Sequence, residues 1–80
     1  MITALVEYVL SNHLLGGSPE DVPLDRSLVE EGILDSFEII ELVDFIERTW
    51  NIRIADEEIT KENMGSIEKM AAFIARKTRS

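Results

Sequence analysis

The 80-residue sequence contains no cysteine, only two prolines, and no apolar stretch that could cross a membrane. Without cysteine, neither a disulfide framework nor a thiolate metal site can stabilise the chain, and a reducing, cytoplasmic compartment is predicted. The first fifteen residues are apolar, but Glu7, Asn12 and His13 interrupt them, and neither a basic start nor a small-residue cleavage site is present. We therefore expect no signal peptide. The length predicts one domain over residues 1–80.

Positive charge is scarce, and the net charge is −8. Eleven of the 16 acidic residues lie between positions 30 and 62, whereas residues 63–80 hold one acid and four bases. Such a surface repels phosphate backbones and anionic lipids, so nucleic acid and membranes are poor partners, whereas basic protein surfaces are attracted. The alternative is that the acids only keep the domain soluble.

Apolar residues recur at helical spacing in three segments, and no strand-like alternation or internal repeat is present. This predicts an all-α fold with helices over residues 2–15, over residues 36–50 and from Ser66 onward. A single helical turn capped by Thr60 is predicted between the last two. The connection over residues 16–35 is too apolar for a solvated linker, so we expect an ordered loop that lies on the helices. The simplest packing is an up-and-down bundle with a long first crossover.

The second helix begins within the stretch "EEGILDSFEII", residues 30–40. If Asp35 is the N-cap, Glu38 falls at N3 and completes a capping box. Ser36 is then at N1, where its hydroxyl is free at the positive end of the helix, a place that favours an anion such as a phosphate ester. The alternative is that Ser36 itself caps the helix and does nothing else.

On a helical wheel, the residues of the second helix separate into a core face and an outward face. Advancing 100° per residue groups one set of apolar residues in a single arc: Ile39, Leu42, Val43, Phe45, Ile46 and Trp50. Phe37 and Ile40 fall on the opposite, mostly acidic side, beside Ser36. An exposed apolar pair surrounded by charge is typical of a docking patch. The alternative is that the long loop folds over Phe37 or Ile40 and buries one of them.

No catalytic or metal-binding pattern accompanies the serine. The single histidine, His13, is expected to shield the end of the first helix rather than to act as a base. Neither a G-x-S-x-G motif nor a phosphate-binding glycine loop is present. The run Asp56, Glu57 and Glu58 lacks the ligand spacing of a calcium loop. We predict that the chain is not an enzyme and holds no metal; a hydrolase that uses Ser36 would need a base the sequence does not show.

The segment "GILDSFEIIELVDFIERTWNIRI", from Gly32 to Ile54, resembles the signature of the acyl carrier protein superfamily. The first helix, the long loop, "ADEEITKENMGSIEKMAAFI" and the total length agree with one freestanding carrier domain. The resemblance implies a four-helix bundle of three main helices and one short one. It also implies that Ser36 is the attachment point of 4′-phosphopantetheine, transferred from coenzyme A by a separate transferase. Asp35 would help to position that transferase and its metal-bound coenzyme A.

Two further residue sets follow from the resemblance. One matches the positions where such carriers meet basic surfaces of partner enzymes: Phe37, Ile40, Glu41, Asp44 and Glu47. The other matches the inner wall where some family members shelter an acyl chain, although a core role alone explains it: Leu42, Ile46, Ile54 and Ile59.

The implied partners are the phosphopantetheinyl transferase, an acyl- or aminoacyl-loading ligase and a downstream transferase or synthase. The carrier itself, expected to be a monomer, would hold its cargo as a thioester. Phe37 and Asp44 depart from many fatty-acid-type carriers, and "EEGILDSF" is similar to D-alanine carrier proteins and to discrete aminoacyl or polyketide carriers. Trp50 would crowd the interior and favour short or aminoacyl cargo. The competing hypothesis is an unmodified adaptor that docks partners through the second helix.

Overall fold

The computed structural model describes residues 1–79, and these residues form an all-α bundle without strands. The helices are α1 (Ile2–His13), α2 (Ser36–Trp50), α3 (Lys61–Met64) and α4 (Ile67–Arg79), and 3-10 turns occupy Pro19–Asp21 and Asp56–Glu58. The predicted fold class is confirmed. Within residues 1–79, no helix is long and apolar enough to cross a bilayer.

The helix ends follow from local chemistry. Thr60 caps α3 by accepting a hydrogen bond from the Asn63 N–H, and the Ser66 hydroxyl accepts one from the Lys69 N–H at the start of α4. The predicted end of α1 at Leu15 is wrong by two residues. Leu14 leaves the helical conformation, and Gly16, with φ of 85°, then turns the chain. Only Gly16 of the glycine pair adopts the left-handed geometry that other residues resist.

The core lies between α1, α2 and α4. The inward face of α2 buries Ile39, Leu42, Val43 and Ile46, as the helical wheel predicts. Phe45 and Trp50 are only half-buried at the edge of this face, where their rings meet edge-on with centroids 6.1 Å apart. Trp50 therefore does not fill the centre of the bundle. From α4, the core receives Ile67, Met70, Phe73 and Ile74.

The long connection between α1 and α2 is ordered against the helices, as predicted. Val22, Leu28 and Leu34 are buried in the core. The Leu28 N–H donates to the Gly65 carbonyl, and the Leu24 carbonyl accepts from the Glu68 N–H at 3.0 Å, so backbone bonds tie the loop to the start of α4. These bonds fix the position of the connection, and therefore the direction from which the chain enters α2.

One ion pair joins the connection before α3 to the end of α4. The Lys77 Nζ and the Ala55 N–H both reach Glu58 Oε1 at 2.9 Å, and these two bonds hold the pKa of Glu58 below its ordinary value of 4.5. A lowered carboxyl pKa stabilises the fold above the unfolded-state value and loses that effect as pH falls through the folded-state value. We expect Glu58→Gln to lower the free energy of unfolding at pH 7 and to have a vanishing effect well below pH 4.5.

Chemical unfolding at several pH values measures this difference. Glu57→Gln is the matched control, because Glu57 is exposed and makes no ion pair within residues 1–79. An equal effect of Glu58→Gln at pH 7 and pH 3 would show that the pair does not act through its charge.

Candidate functional site

The start of α2 is closed by a reciprocal capping box. Asp35 Oδ1 accepts a hydrogen bond from the Glu38 N–H at 2.8 Å, and Glu38 Oε1 accepts one from the Asp35 N–H at 2.9 Å. Asp35 is therefore the N-cap, and the alternative that Ser36 caps the helix is wrong. Ser36 is exposed at N1, and its hydroxyl makes no hydrogen bond within the described part of the chain.

This geometry suits an ester of phosphoric acid on Ser36. The capping box occupies the N–H groups of Asp35 and Glu38, while those of Ser36 and Phe37 have no intrahelical acceptor. Unpaired N–H groups and the positive end of the helix dipole stabilise a negative charge at this place. An exposed hydroxyl beside them can be esterified without moving the backbone.

The capping box also has a distant partner that the sequence did not suggest. His13 Nδ1 lies 2.7 Å from Glu38 Oε2, so the histidine contacts the start of α2. His13 lies in the last turn of α1 as predicted, and this contact gives it a second partner outside its own helix. Tertiary packing of α1 against α2 decides the direction of the ring, and helix periodicity cannot show it.

Two large apolar side chains stand on the outward face of α2. Phe37 is 75% exposed and Ile40 is 51% exposed, so the loop buries neither, and the wheel prediction is confirmed. We call Phe37 and Ile40 the apolar patch. Other large apolar side chains of residues 1–79 are exposed too, Leu15 most of all, but Phe37 and Ile40 are neighbours on one helical face next to Ser36, as a docking surface requires.

The three acids predicted beside the patch differ in availability. Glu41 is exposed, and Asp44 is exposed but pairs with Arg48 one turn later. Glu47 is half-buried, because its Oε2 accepts a hydrogen bond from the Ile54 N–H at 2.8 Å. Glu47 is therefore less available to a partner than Glu41, because its carboxylate holds the connection that follows α2.

A cleft of about 350 Å³ opens beside Ser36, between α2, the long loop and α3. Of the four residues predicted to form a cargo wall, only Ile59 lines this cleft. Leu42 and Ile46 are closed into the core, and Ile54 lines a separate groove at the end of α2. The apolar residues that do line the cleft were not predicted to do so: Val29, Ile39, Ile40 and Met64. An unusually apolar loop was the available signal for Val29.

The cap and the serine can be separated by substitution. Asp35→Ala removes the acceptor for the Glu38 N–H and should lower the free energy of unfolding by about 0.5–2 kcal/mol. Asp35→Asn keeps an acceptor oxygen and should lower it by only a few tenths of a kcal/mol. Denaturant titration measures both changes. An equally large loss in the two variants would show that charge, rather than the cap bond, stabilises this end.

A four-helix bundle with a long ordered loop and an exposed serine at the start of its second helix defines a carrier-type domain. No family model matches the chain. It is 38% identical over 55 residues to the D-alanyl carrier protein of Lactococcus lactis subsp. cremoris (strain MG1363), covering 69% of this chain and 70% of that protein. It is 30% identical over 76 residues to the probable acyl carrier protein PigG of Serratia sp. (strain ATCC 39006), covering 90% and 87%.

Among solved structures, a chain in the crystal structure of an FAD-dependent dehydrogenase superposes with a TM-score of 0.73. That match is 27% identical and covers 88% of this chain and 97% of the other. The protein therefore belongs to the acyl carrier protein superfamily, and it is closer to D-alanyl and polyketide-type carriers, among the groups to which "EEGILDSF" is similar. It is a carrier protein rather than an enzyme.

Proposed function

We propose that Ser36 carries 4′-phosphopantetheine and that the protein delivers thioester-bound cargo to partner enzymes. The observation that carries this proposal is the exposed Ser36 hydroxyl at N1, which makes no hydrogen bond within residues 1–79 and lies beside N–H groups that have no intrahelical acceptor. When bound, the arm supplies a terminal thiol that holds an acyl or aminoacyl group as a thioester.

In the proposed attachment reaction, this chain supplies the Ser36 hydroxyl oxygen, and the transferase supplies the catalytic groups. In the attachment step the Ser36 oxygen forms a bond to a phosphorus of coenzyme A, and the bond from that phosphorus to the adenosine bisphosphate portion breaks. The hydroxyl proton passes to a base of the transferase, because no histidine or unpaired carboxylate lies within hydrogen-bonding distance of Ser36 in residues 1–79. Asp35, held in the capping box, faces the transferase and its metal-bound coenzyme A.

The partner surface of the proposal combines the apolar patch with Glu41 and Asp44. An apolar centre with an acidic surround complements a basic enzyme surface that carries an apolar pocket. We assign the transferase, a loading ligase and a downstream transferase or synthase to this surface. We also propose that the chain acts as one domain and as a cytoplasmic monomer.

The comparisons support a short or aminoacyl cargo. D-alanyl carrier proteins are among the relatives, and Phe37 and Asp44 depart from the fatty-acid-type pattern. The mass of the thioester-bound species purified from the native host identifies the cargo.

Intact-mass measurement tests the proposal. Wild-type protein incubated with coenzyme A and a broad-specificity phosphopantetheinyl transferase should gain the mass of one arm. An unchanged mass, under conditions that modify a known carrier completely, would favour the unmodified adaptor instead.

A further inference from the structure

His13 is a largely buried ionisable side chain at the junction of α1 and α2. Its side chain is only 9% exposed, and its ring lies against Tyr8 with centroids 6.0 Å apart. Nδ1 lies 2.7 Å from Glu38 Oε2 and donates to it, because a carboxylate oxygen accepts. Nε2 is fully buried and finds no hydrogen-bond partner within residues 1–79.

A buried polar atom without a partner reduces stability, whereas an apolar residue of similar size at the same place would not. Glu38 is about one-third exposed, so water can solvate its carboxylate if the histidine is removed. The His13 to Glu38 bond is therefore a poor source of global stability. Its consequence is local, at the carboxylate that it orients.

Glu38 uses its two oxygens for two different partners. Oε2 accepts from His13, and Oε1 accepts from the Asp35 N–H in the capping box. The histidine thus fixes the carboxylate in the orientation that closes the box. It connects α1 to the residue that caps α2, immediately before Ser36.

Serine is itself a strong N-cap residue, so two starts compete for this helix. If α2 began one residue later, Ser36 would be the cap, and its hydroxyl would accept a hydrogen bond from the N–H of Ile39, the new N3 residue. That bond would draw the hydroxyl toward the helix. When the capping box is formed with Asp35 as the N-cap, Ser36 does not make this bond and its hydroxyl points away from the helix.

We propose that His13 is a positioning residue: through Glu38 it selects Asp35 over Ser36 as the cap of α2 and so keeps the Ser36 hydroxyl available for modification. The inference rests on the proposed function for its kinetic consequence. Its structural consequence, which residue caps the helix, is independent of that function.

The variants follow from the geometry. His13→Leu fills the site but removes the donor, whereas His13→Asn places an amide nitrogen at the same bond separation from Cα as Nδ1 and can restore it. Asn12→Ala is the control, because Asn12 is the neighbouring residue and its side chain, within residues 1–79, hydrogen-bonds only to the Tyr8 carbonyl of its own helix. Two measurements apply to each: amide hydrogen exchange at Asp35 and Glu38, and the rate of arm transfer by a phosphopantetheinyl transferase.

For His13→Leu we expect an unchanged or higher melting temperature, faster exchange at both amides, and a kcat for transfer lowered about tenfold with KM little changed. His13→Asn should restore most of the exchange protection and most of the kcat, and Asn12→Ala should match the wild type in both measurements. In a Glu38→Ala background, His13→Leu should have no further effect, because the histidine acts only through that carboxylate.

Unchanged exchange and unchanged kcat in His13→Leu would overturn the inference, and so would additive effects of the two substitutions. Should His13→Leu not fold, His13→Met, which also removes the donor, takes its place, and unchanged exchange and unchanged kcat in that variant would overturn the inference. If the wild type gains no arm at all, the proposed function fails, while the exchange measurements still decide whether His13 selects the cap.

Discussion

Ser36→Ala is expected to abolish attachment of the arm completely while leaving the fold intact. Ser36 is exposed and its hydroxyl makes no hydrogen bond in the described structure, so losing it removes no contact. Alanine is also a good residue for the first helical turn. The free energy of unfolding should therefore change by less than about 0.5 kcal/mol.

The measurement is intact mass after incubation with coenzyme A and the transferase. Ser27→Ala is the matched control, because Ser27 lines the same cleft as Ser36 but caps a turn of the loop through the Glu30 N–H. The control should gain one arm as the wild type does. An arm on Ser36→Ala would place the attachment elsewhere. Circular dichroism shows whether the variant is folded. If Ser36→Ala gained no arm and also lost its helical spectrum, misfolding rather than the missing hydroxyl would explain the lack of modification.

Phe37→Ser combined with Ile40→Ser should weaken recognition by partner enzymes without unfolding the domain. Burying a large apolar side chain in a partner's pocket contributes about 1.5–3 kcal/mol. The variant removes two such side chains, about 3–6 kcal/mol together, so we expect the KM of the carrier for the transferase, and for its loading ligase, to rise about 100-fold or more. Because both side chains are more than half exposed, the free energy of unfolding should fall by no more than about 1 kcal/mol.

Two controls make this result interpretable. Leu15→Ser makes a similar change at a residue that is 83% exposed and outside α2, and it should leave KM unchanged. Leu42→Ser makes the change on the buried face of the same helix and should cost more than about 3 kcal/mol of stability. If the double variant melted like Leu42→Ser, the patch would be core. If KM did not move, partners would use another surface.

These two variants and His13→Leu affect different kinetic quantities. Ser36→Ala removes the acceptor oxygen, the patch variant raises KM, and His13→Leu lowers kcat. A carrier without its own catalytic groups can influence a partner's reaction only through three properties. These are the reactive group that it presents, the surface that the partner recognises, and the orientation of that group relative to the surface.

Much of the fold was predictable because local rules determine it. The first and last residues of α2, the capping box of Asp35 and Glu38, and the Thr60 and Ser66 caps follow from side chains within four residues of one another. The end of α1 was not predicted correctly, because the helix stops at His13 although the apolar pattern continues through Leu14 and Leu15.

In the candidate site, too, local features were predictable from the sequence, whereas contacts between distant segments were not. Ser36, Phe37 and Ile40 could be placed outward from helix periodicity alone, since each residue's direction depends only on its position along one helix. The Glu47 bond to the Ile54 N–H and the residues that line the cleft could not, because they join segments that the sequence separates.

By itself, the sequence determined that the chain is all-α and that its second helix starts beside Ser36 with Phe37 and Ile40 on the face opposite the core residues. Only the tertiary structure decided what holds that serine in place. His13 is 25 positions from Glu38 in the chain and 2.7 Å from it in the fold. Periodicity and capping are local properties, whereas the approach of α1 to the start of α2 depends on how the whole core packs.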